Sequence, residues 1–330
     1  MQKSAAYFPP DFNRFLWLFL PADMILRLTT FTILCCLAFS LAAQSKKRKG
    51  KDYRQYRHEV LAGLGISNYL GELGGADGVP KRFSPRDIEL SQTKMAYSLG
   101  YRYNFTRYWS GRVHYTLCKL SGSDQLTNNP ERQYRNLAFS SNINEFGFYG
   151  EFHIKRADYG HSFYMKGVVG SAGQRISLYT YTGISWFKFK PRYNGVDLQP
   201  LNTEGQGLDG GPKPYKTNSI ALPIGIHGGY QLHKMLQVGL DINFRFTNTD
   251  YIDDVSGVYY DREKIRKEVS DLAAEMSDRT NRTNPNWSDA GAPRGNPKSK
   301  DFYFTVMATV TYTPFVYNPR PPRRRMTPKF

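Results

Sequence analysis

Six charged residues, Arg102, Arg112, Glu145, Glu151, Asp241 and Arg245, sit in stretches where apolar and polar residues alternate. An arginine facing a carboxylate makes charge-assisted, often bidentate hydrogen bonds, a chemistry suited to locking structure. The histidines His58, His114, His153, His161, His227 and His233 are the candidates for proton transfer, and by alternation His114, His153 and His227 share the side of the six charges. A partner for a buried carboxylate is the simpler role for those three. No nucleophile, base and orienting group fall into a set, so the expectation is a protein that is not an enzyme and needs no cofactor. The run Asp250-Tyr251-Ile252-Asp253-Asp254 offers paired carboxylates that suit calcium. It lacks the glycine and terminal glutamate of a helix–loop calcium site, and aspartates shaping a turn account for it better. A phosphate-cradling glycine loop, CxxC and HExxH are all absent from the sequence.

Strands must position these charges. From Leu236 to Thr247 the alternation is unbroken: Leu236, Val238, Leu240, Ile242, Phe244 and Phe246 share one face. Gln237, Asp241, Asn243, Arg245 and Thr247 share the other with Gly239. Similar stretches predict seven more strands. The first runs from Arg57 to Tyr69, with Val60, Ala62, Leu64 and Ile66 on one face. The second, Lys94 to Phe105, sets Met95, Tyr97, Leu99, Tyr101 and Tyr103 against Lys94, Ser98, Gly100 and Arg102. The third sets Trp109, Val113, Tyr115 and Leu117 against Ser110, Arg112, His114 and Thr116. The fourth sets Phe146, Phe148, Phe152 and Ile154 against Glu145, Tyr149, Glu151 and His153. The fifth expectation, His161 to Ser177, is glycine-rich and less regular. The sixth carries Ile220, Leu222, Ile224 and Ile226, although Pro223 removes a ladder donor. The unbroken stretch from Leu236 is the seventh, and the eighth turns Phe302, Phe304, Val306, Ala308, Val310 and Tyr312 one way and Tyr303, Thr305, Met307 and Thr309 the other.

Connections point to closure. Short turns are expected at Thr106-Arg107-Tyr108, Arg156-Ala157-Asp158 and His233-Lys234, and long loops over Gly71–Gln92, Ser121–Ala138, Tyr179–Asn218 and Asp250–Lys300. An even strand count with alternating short and long links is the pattern of an outer-membrane barrel whose termini and short turns face the periplasm. A soluble lipocalin-like barrel would be apolar inside and polar outside. Here the inner wall would carry six charges, a costly burial in a soluble ligand cup unless they are paired. The fold expected is therefore all-β: an eight-stranded antiparallel transmembrane barrel with long extracellular loops. Its interior would be nearly filled by side chains, too narrow for cargo.

The net charge of +17 invites a nucleic-acid reading, but the basic residues gather at the ends, in Lys46-Lys47-Arg48-Lys49 and in Arg320, Arg323, Arg324 and Arg325. No nucleic-acid partner is expected. With 24 Tyr and 21 Phe, the chain can instead furnish aromatic girdles at two membrane interfaces. Met24 to Arg27, the apolar run from Phe31 to Leu41, and Ala42-Ala43 form a secretory signal pattern with cleavage near Ala43 and residues 1–23 as an upstream extension. Processing would leave Cys118 alone, without an intramolecular disulfide. The expected organisation is a leader over 1–43, a basic periplasmic segment over 44–56, the barrel over 57–313 and a Pro/Arg-rich periplasmic tail over 314–330. Pro319, Pro321 and Pro322 would keep that tail extended.

In the last long loop, Ile265, Val269, Leu272 and Met276 recur at helical spacing, which predicts one short helix from Asp261 through Ser277 that covers the extracellular mouth or, as the alternative, presents a face to a partner.

Three segments carry a family resemblance: Ile66-Ser67-Asn68-Tyr69-Leu70-Gly71-Glu72-Leu73-Gly74, then Thr249-Asp250-Tyr251-Ile252-Asp253-Asp254-Val255-Ser256-Gly257-Val258-Tyr259-Tyr260-Asp261, then Leu272 to Arg279. Together they resemble the PorG-like outer-membrane barrels of Bacteroidetes-type bacteria, from about Tyr53 to Pro314. The resemblance implies an outer-membrane component of the type IX secretion system, associated with a periplasmic ring of PorK-like lipoprotein and PorN-like protein. It implies a part in protein export and, in gliding species, motility. It implies no catalytic residue. Its family-like motif positions here are Asn68, Tyr69, Gly71, Asp250, Tyr251, Asp253, Asp254 and Gly257. The two basic end clusters are the candidates for docking the ring, with outer-membrane lipids as the other partner. A stand-alone structural barrel and a lipid-modifying outer-membrane enzyme are the alternatives.

Overall fold

The computed structural model describes residues 57–71, 73, 90–127, 129–157, 162–165, 168–171, 175–233, 235–280, 287–297 and 299–314. The leader, the basic amino-terminal segment and residues 315–330 of the tail lie outside these, and with them Lys46, Lys47, Arg48, Lys49, Arg320, Arg323, Arg324, Arg325 and the expected cleavage site.

Valine, isoleucine and aromatic residues at alternate positions suit a pleated, half-covered surface, and they form strands throughout. In chain order these are β1 (His58–Leu70), β2 (Lys94–Asn104), β3 (Trp109–Ser123), β4 (Ala138–Lys155), β5 (Ser162–Met165), β6 (Val168–Ser171), β7 (Ile176–Tyr193), β8 (Val196–Asp197), β9 (Asn218–His233), β10 (Leu236–Thr247) and β11 (Phe302–Tyr312). Eight of them, β1 to β4, β7 and β9 to β11, pair antiparallel in sequence order, and β1 pairs with β11 from Val60 opposite Tyr312 to Leu70 opposite Phe302. The sheet is a closed eight-stranded barrel with no free edge.

The wall is apolar outside. Leu99 is 59% exposed, Phe148 56% and Leu240 50%, whereas inward Arg102 and Arg245 are 1% and 0% exposed. That is the inverse of a soluble barrel and the arrangement a bilayer demands. Register marks where the apolar wall ends. Tyr115, Phe146 and Trp186 lie side by side across β3, β4 and β7. The next outward row is Leu117, Asn144 and Lys188, and the one beyond it Lys119, Asn142 and Lys190. A tilted strand crosses hydrocarbon in roughly 9–11 residues. β4 and β7 have 18 each, so their loop-end portions rise past the membrane.

The fifth barrel strand corrects the sequence reading. It is β7, Ile176–Tyr193, not His161 to Ser177, and it occupies the first part of the expected Tyr179–Asn218 loop. Its inward row includes Tyr179, Tyr181, Phe187 and Phe189, and its outward row Thr180, Thr182, Lys188 and Lys190, so the usual polarity contrast is blurred or reversed. The link after β4 is likewise not a short turn: it carries the small β5–β6 hairpin. The predicted single helix is two, α2 (Arg262–Glu268) and α3 (Asp271–Ser277), following the short α1 (Pro130–Arg135) in an earlier loop. Asp261 caps α2, as the sequence suggested. Ser270, however, is extended (φ −175°) and its hydroxyl accepts from the Ala273 N–H, so it starts a new helix. The pair buries Ile265, Ala273 and Ala274 against Leu201, Leu208 and Tyr260, while Leu272 of the expected apolar face stays exposed.

Leu240 and Asn243 test the sidedness. Leu240 opposes Gly228 and Ala308 in mid-wall, facing out, and Asn243 is buried inside. Leu240→Arg is expected to cost about 2–4 kcal/mol through its encounter with acyl chains. Asn243→Arg should disrupt assembly less. Heat-modifiable migration of folded barrel in gels is the readout, and equal losses would refute the assignment of faces.

Candidate functional site

Strand alternation delivers all six predicted charges to the lumen, where they form two ion-pair groups. Near the short-turn end, Arg102 reaches Glu59 at 2.7 Å and Glu151 at 2.5 Å. Glu151 also forms an ion pair with Arg112 at 2.9 Å, and Arg112 lies 3.5 Å from Asp241. Tyr181 Oη donates to Asp241 at 2.6 Å and Tyr179 Oη bonds Arg102. The guanidinium of Arg102 lies over the Tyr179 ring at 4.4 Å and that of Arg112 over Tyr181 at 4.3 Å. Nearer the loops, Arg245 Nε donates to Glu145 at 2.6 Å and its Nη1 to Thr305 at 2.7 Å. Tyr149 and Tyr303 hydroxyls complete the Glu145 carboxylate at 3.0 and 3.2 Å. Glu59 was missed in sequence, though its inward parity on β1 was readable. So was Arg156, 3.5 Å from Glu59 at the turn-end mouth, where no alternation marks it.

The three inward histidines pair with hydroxyls: His114 with Thr116 at 3.1 Å, His153 with Ser110 at 2.6 Å and His227 with Thr309 at 2.9 Å. Ser110 and Glu151 both approach the same nitrogen of His153, Glu151 at 3.9 Å. A triad needs the carboxylate on the opposite nitrogen to orient the ring, so this set is not arranged to activate a serine. His58 bonds the Tyr101 hydroxyl at 2.6 Å, His233 is exposed at the end of β9, and His161 lies outside the described residues. At the turn-end mouth, Glu59, Arg102, His153, Arg156, Tyr179 and Gln231 line a cavity of ≈ 20 Å³, enough for about one water.

Above the Glu145–Arg245 pair the lumen turns apolar, contrary to a uniformly polar interior. Ala96, Cys118, Leu120, Phe139, Ile143, Phe187, Phe189 and Met307 from the wall pack with Leu73, Leu137, Ile252 and Val255 from the loops. Ions would meet a dry plug there.

The family-like motif holds that plug in place. Tyr69 Oη donates to Asp253 at 2.8 Å and to Asp301 at 2.5 Å, and Asp301 accepts from the Ile252 N–H at 2.8 Å. Asn68 donates to Thr93 at 3.1 Å. At Gly71 a Cβ would come 1.9 Å from the Tyr69 hydroxyl, so only glycine leaves that ring its place. Asp250 accepts from Ser256 Oγ at 2.7 Å, and Tyr251 stacks on Tyr215 at 4.4 Å. Asp254 adopts a left-handed conformation (φ 66°), which aspartate tolerates better than most residues. Its carboxylate accepts from Thr203 at 2.6 Å and Tyr215 at 2.5 Å. Glu204 accepts the amides of Ser256 at 2.9 Å and Gly257 at 3.2 Å. Arg294 lies between the two carboxylates: it donates to Glu204 at 2.9 Å and to the Asp254 backbone carbonyl at 2.6 Å, and stands 3.8 Å from the Asp254 carboxylate. Burial pushes the Asp254 carboxyl up to about 6, against the opposing pull of Arg294 and the two hydroxyls. Burial also works against the Arg294 charge, but Glu204 and Asp254 hold that guanidinium above its ordinary value. Among the described residues no cluster of three or more His, Cys, Asp or Glu side chains could hold a metal ion.

A lipid-facing wall, a lumen filled by ion pairs and a loop-borne plug define an outer-membrane-type β-barrel of the narrow, side-chain-filled kind. The chain belongs to the family described as domain of unknown function DUF6089, whose model matches residues 51–267. No curated protein matches it in sequence. Among solved structures it is similar to Neisserial surface protein A, at 8% identity over 78% of this chain and 96% of that one, with a TM-score of 0.37. It is also similar to Ail, the attachment invasion locus protein of Yersinia pestis, at 9% identity over 78% and 98% of the two chains, with a TM-score of 0.34. The amino-terminal β-barrel domain of Pseudomonas aeruginosa OprF is similar at 7% identity over 78% and 98%, with a TM-score of 0.30.

Proposed function

We propose that this barrel is a non-conducting, non-catalytic outer-membrane component of a type IX secretion machine, which holds a periplasmic ring of PorK-like and PorN-like proteins at the outer membrane. One observation carries the reading: the lumen is closed along its length, by ion pairs below and by the apolar plug above. A closed barrel acts through contacts. The resemblance of the Asn68–Gly71 and Asp250–Gly257 segments to PorG-like barrels supports the choice of machine.

The basic clusters Lys46-Lys47-Arg48-Lys49 and Arg320, Arg323, Arg324 and Arg325 are the proposed docking elements, on the periplasmic side with the termini. Such contacts weaken with salt, because exposed charges more than about 8 Å apart are largely screened at physiological ionic strength. The test is affinity purification of the tagged barrel from outer membranes, with identification of co-purifying proteins. The native barrel is expected to bring down ring proteins. Replacing both clusters with serine should leave barrel insertion intact while ring recovery and secretion fall. A native barrel that brings down no ring proteins defeats the secretion reading. Unchanged ring recovery from the doubly neutralised barrel defeats the docking role of the tails alone.

A further inference from the structure

The outer wall of β3, β4 and β7 changes character within one residue pair. Tyr115, Phe146 and Trp186 form the last fully apolar and aromatic row. The next row is Leu117, Asn144, Lys188 and, on β9, Asn218. The row after that is Lys119, Asn142 and Lys190, followed by Ser121, Ser140 and Arg192. Lys119, Asn142, Asn144, Lys188, Lys190 and Asn218 are all exposed.

Asp197 on the short β8 pairs with Lys190 at 2.6 Å and with Arg192 at 2.5 Å. Among the described residues no carboxylate lies within ion-pair distance of Lys119 or Lys188. Adjacent strands are about 4.8 Å apart, which sets Lys119 and Lys190 roughly 10 Å from each other with Asn142 between them. Two residues along a strand is about 7 Å, so Lys188 lies close behind the Asn142–Lys190 pair.

Interfacial aromatics sit at headgroup level. Lys188 in the first row above Trp186 and Lys119 in the second row above Tyr115 therefore stand where the phosphates of a lipid's headgroup lie while its acyl chains run down the apolar wall. Elsewhere the wall differs. On β10 and β11 the outward residues toward the loops are Phe244, Phe246, Phe302 and Phe304, which pack on one another and carry no charge.

We infer that the Lys119–Asn142–Lys190 and Asn144–Lys188–Asn218 rows form a binding face for a phosphorylated glycolipid of the loop-end leaflet. Lys119 and Lys188 grip phosphate, and the asparagines hydrogen-bond to phosphate and sugar hydroxyls. A glycolipid fits better than a simple phospholipid because the face is broad: cations and amides span three to four strands and two rows, more than one phosphate can cover. The inference rests on the reading of the barrel as an outer-membrane protein with its loops outside, and is independent of any part in secretion.

The experiment uses the full chain folded in phosphatidylcholine vesicles and probes it with bisphosphorylated lipid A, its dephosphorylated form and phosphatidylglycerol. Retained lipid is measured by native mass spectrometry after detergent extraction. Bisphosphorylated lipid A should be retained in preference to both others. Retention should fall roughly tenfold or more in Lys119→Ser/Lys188→Ser, each lysine near an anionic surface contributing comparably. It should be kept in Lys119→Arg/Lys188→Arg and in the loop control Lys213→Ser/Lys216→Ser. Equal retention of the dephosphorylated form or of phosphatidylglycerol overturns the proposal, as does an unaffected Lys119→Ser/Lys188→Ser protein. Heat-modifiable migration of each variant reports separately whether the barrel inserts, so failure of the membrane reading is told apart from failure of the lipid face.

Discussion

Arg245→Ala is expected to destabilise the folded barrel by about 3–5 kcal/mol, the range for removing one member of a buried ion pair. Arg245 and Glu145 are both fully buried, 2.6 Å apart, at the level where the lumen changes from charged to apolar. Without Arg245 the Glu145 carboxylate keeps, among the described residues, only the Tyr149 and Tyr303 hydroxyls. Those two donors do not balance its charge in a medium of low dielectric, and Thr305 loses its partner as well. The larger part of the loss comes from the stranded carboxylate, not from the missing attraction. A second variant separates the two. In Arg245→Met/Glu145→Gln the charge is gone, a side chain of similar length fills the space, and the amide can accept from one tyrosine hydroxyl through its oxygen and donate to the other through its N–H. It should regain more than half of the lost stability. Thermal unfolding in detergent gives both values. A single variant as stable as the parent would show that the pair does not hold the barrel, and an equally damaged double variant would show that shape, not charge, is what matters.

That pair was legible because strand parity projects it: Arg245 follows Asp241 and Asn243 on one face, and Glu145 precedes Glu151 on another. Period-two alternation fixes which face a residue takes and the register completes the pairing. The same signal failed at β7. Tyr179, Tyr181, Phe187 and Phe189 point inward there, two to the arginines and two into the plug, so aromatic residues occupy the side where polarity was expected. The apolar plug was hidden for a related reason, since Leu73, Leu137, Ile252 and Val255 reach it from loops with no period at all. The Asp250–Gly257 run stood out in the sequence, and the turn-forming role read for it is present in the Asp253 carboxylate accepting the Val255 N–H at 3.0 Å. Its main partners were not readable. Thr203 lies 51 residues from Asp254, and Arg294 lies 90 from Glu204. Contacts of that separation are decided by how the closed barrel brings its loops together.

Arg294→Ala is expected to open the loop cap, with a local cost also of about 3–5 kcal/mol, because it leaves Glu204 and Asp254 buried without their shared cation. The effect reaches further than the pair. The Arg294 backbone carbonyl, which the variant keeps, accepts from Arg135 at 2.5 Å and Arg135 holds Asp124 at 2.7 Å, so what spreads is the loss at Glu204 and Asp254. Glu204 holds the Ser256 and Gly257 amides, so Ile252 and Val255 should loosen from the plug once that carboxylate is uncompensated. The pH dependence has a defined sign. Asp254 titrates near 6, above its ordinary value, so its contribution to stability is complete below the ordinary carboxylate range and is lost as pH rises through about 6. Without Arg294 the ionised Asp254 carboxylate is opposed by burial and by the neighbouring Glu204, so the damage should be severe at pH 7 and smaller at pH 5, where a proton on Asp254 removes its charge. Hydrogen exchange of the Ser256 and Gly257 amides in the intact barrel measures the opening directly. Faster exchange at pH 7, corrected for intrinsic rate and largely suppressed at pH 5, is the expected result. Asp254→Asn in the Arg294→Ala background should remove much of that difference, since a neutral amide needs no cation. If the two amides stay protected at pH 7 without Arg294, the cap is held by its apolar contacts and the carboxylate network does not lock it.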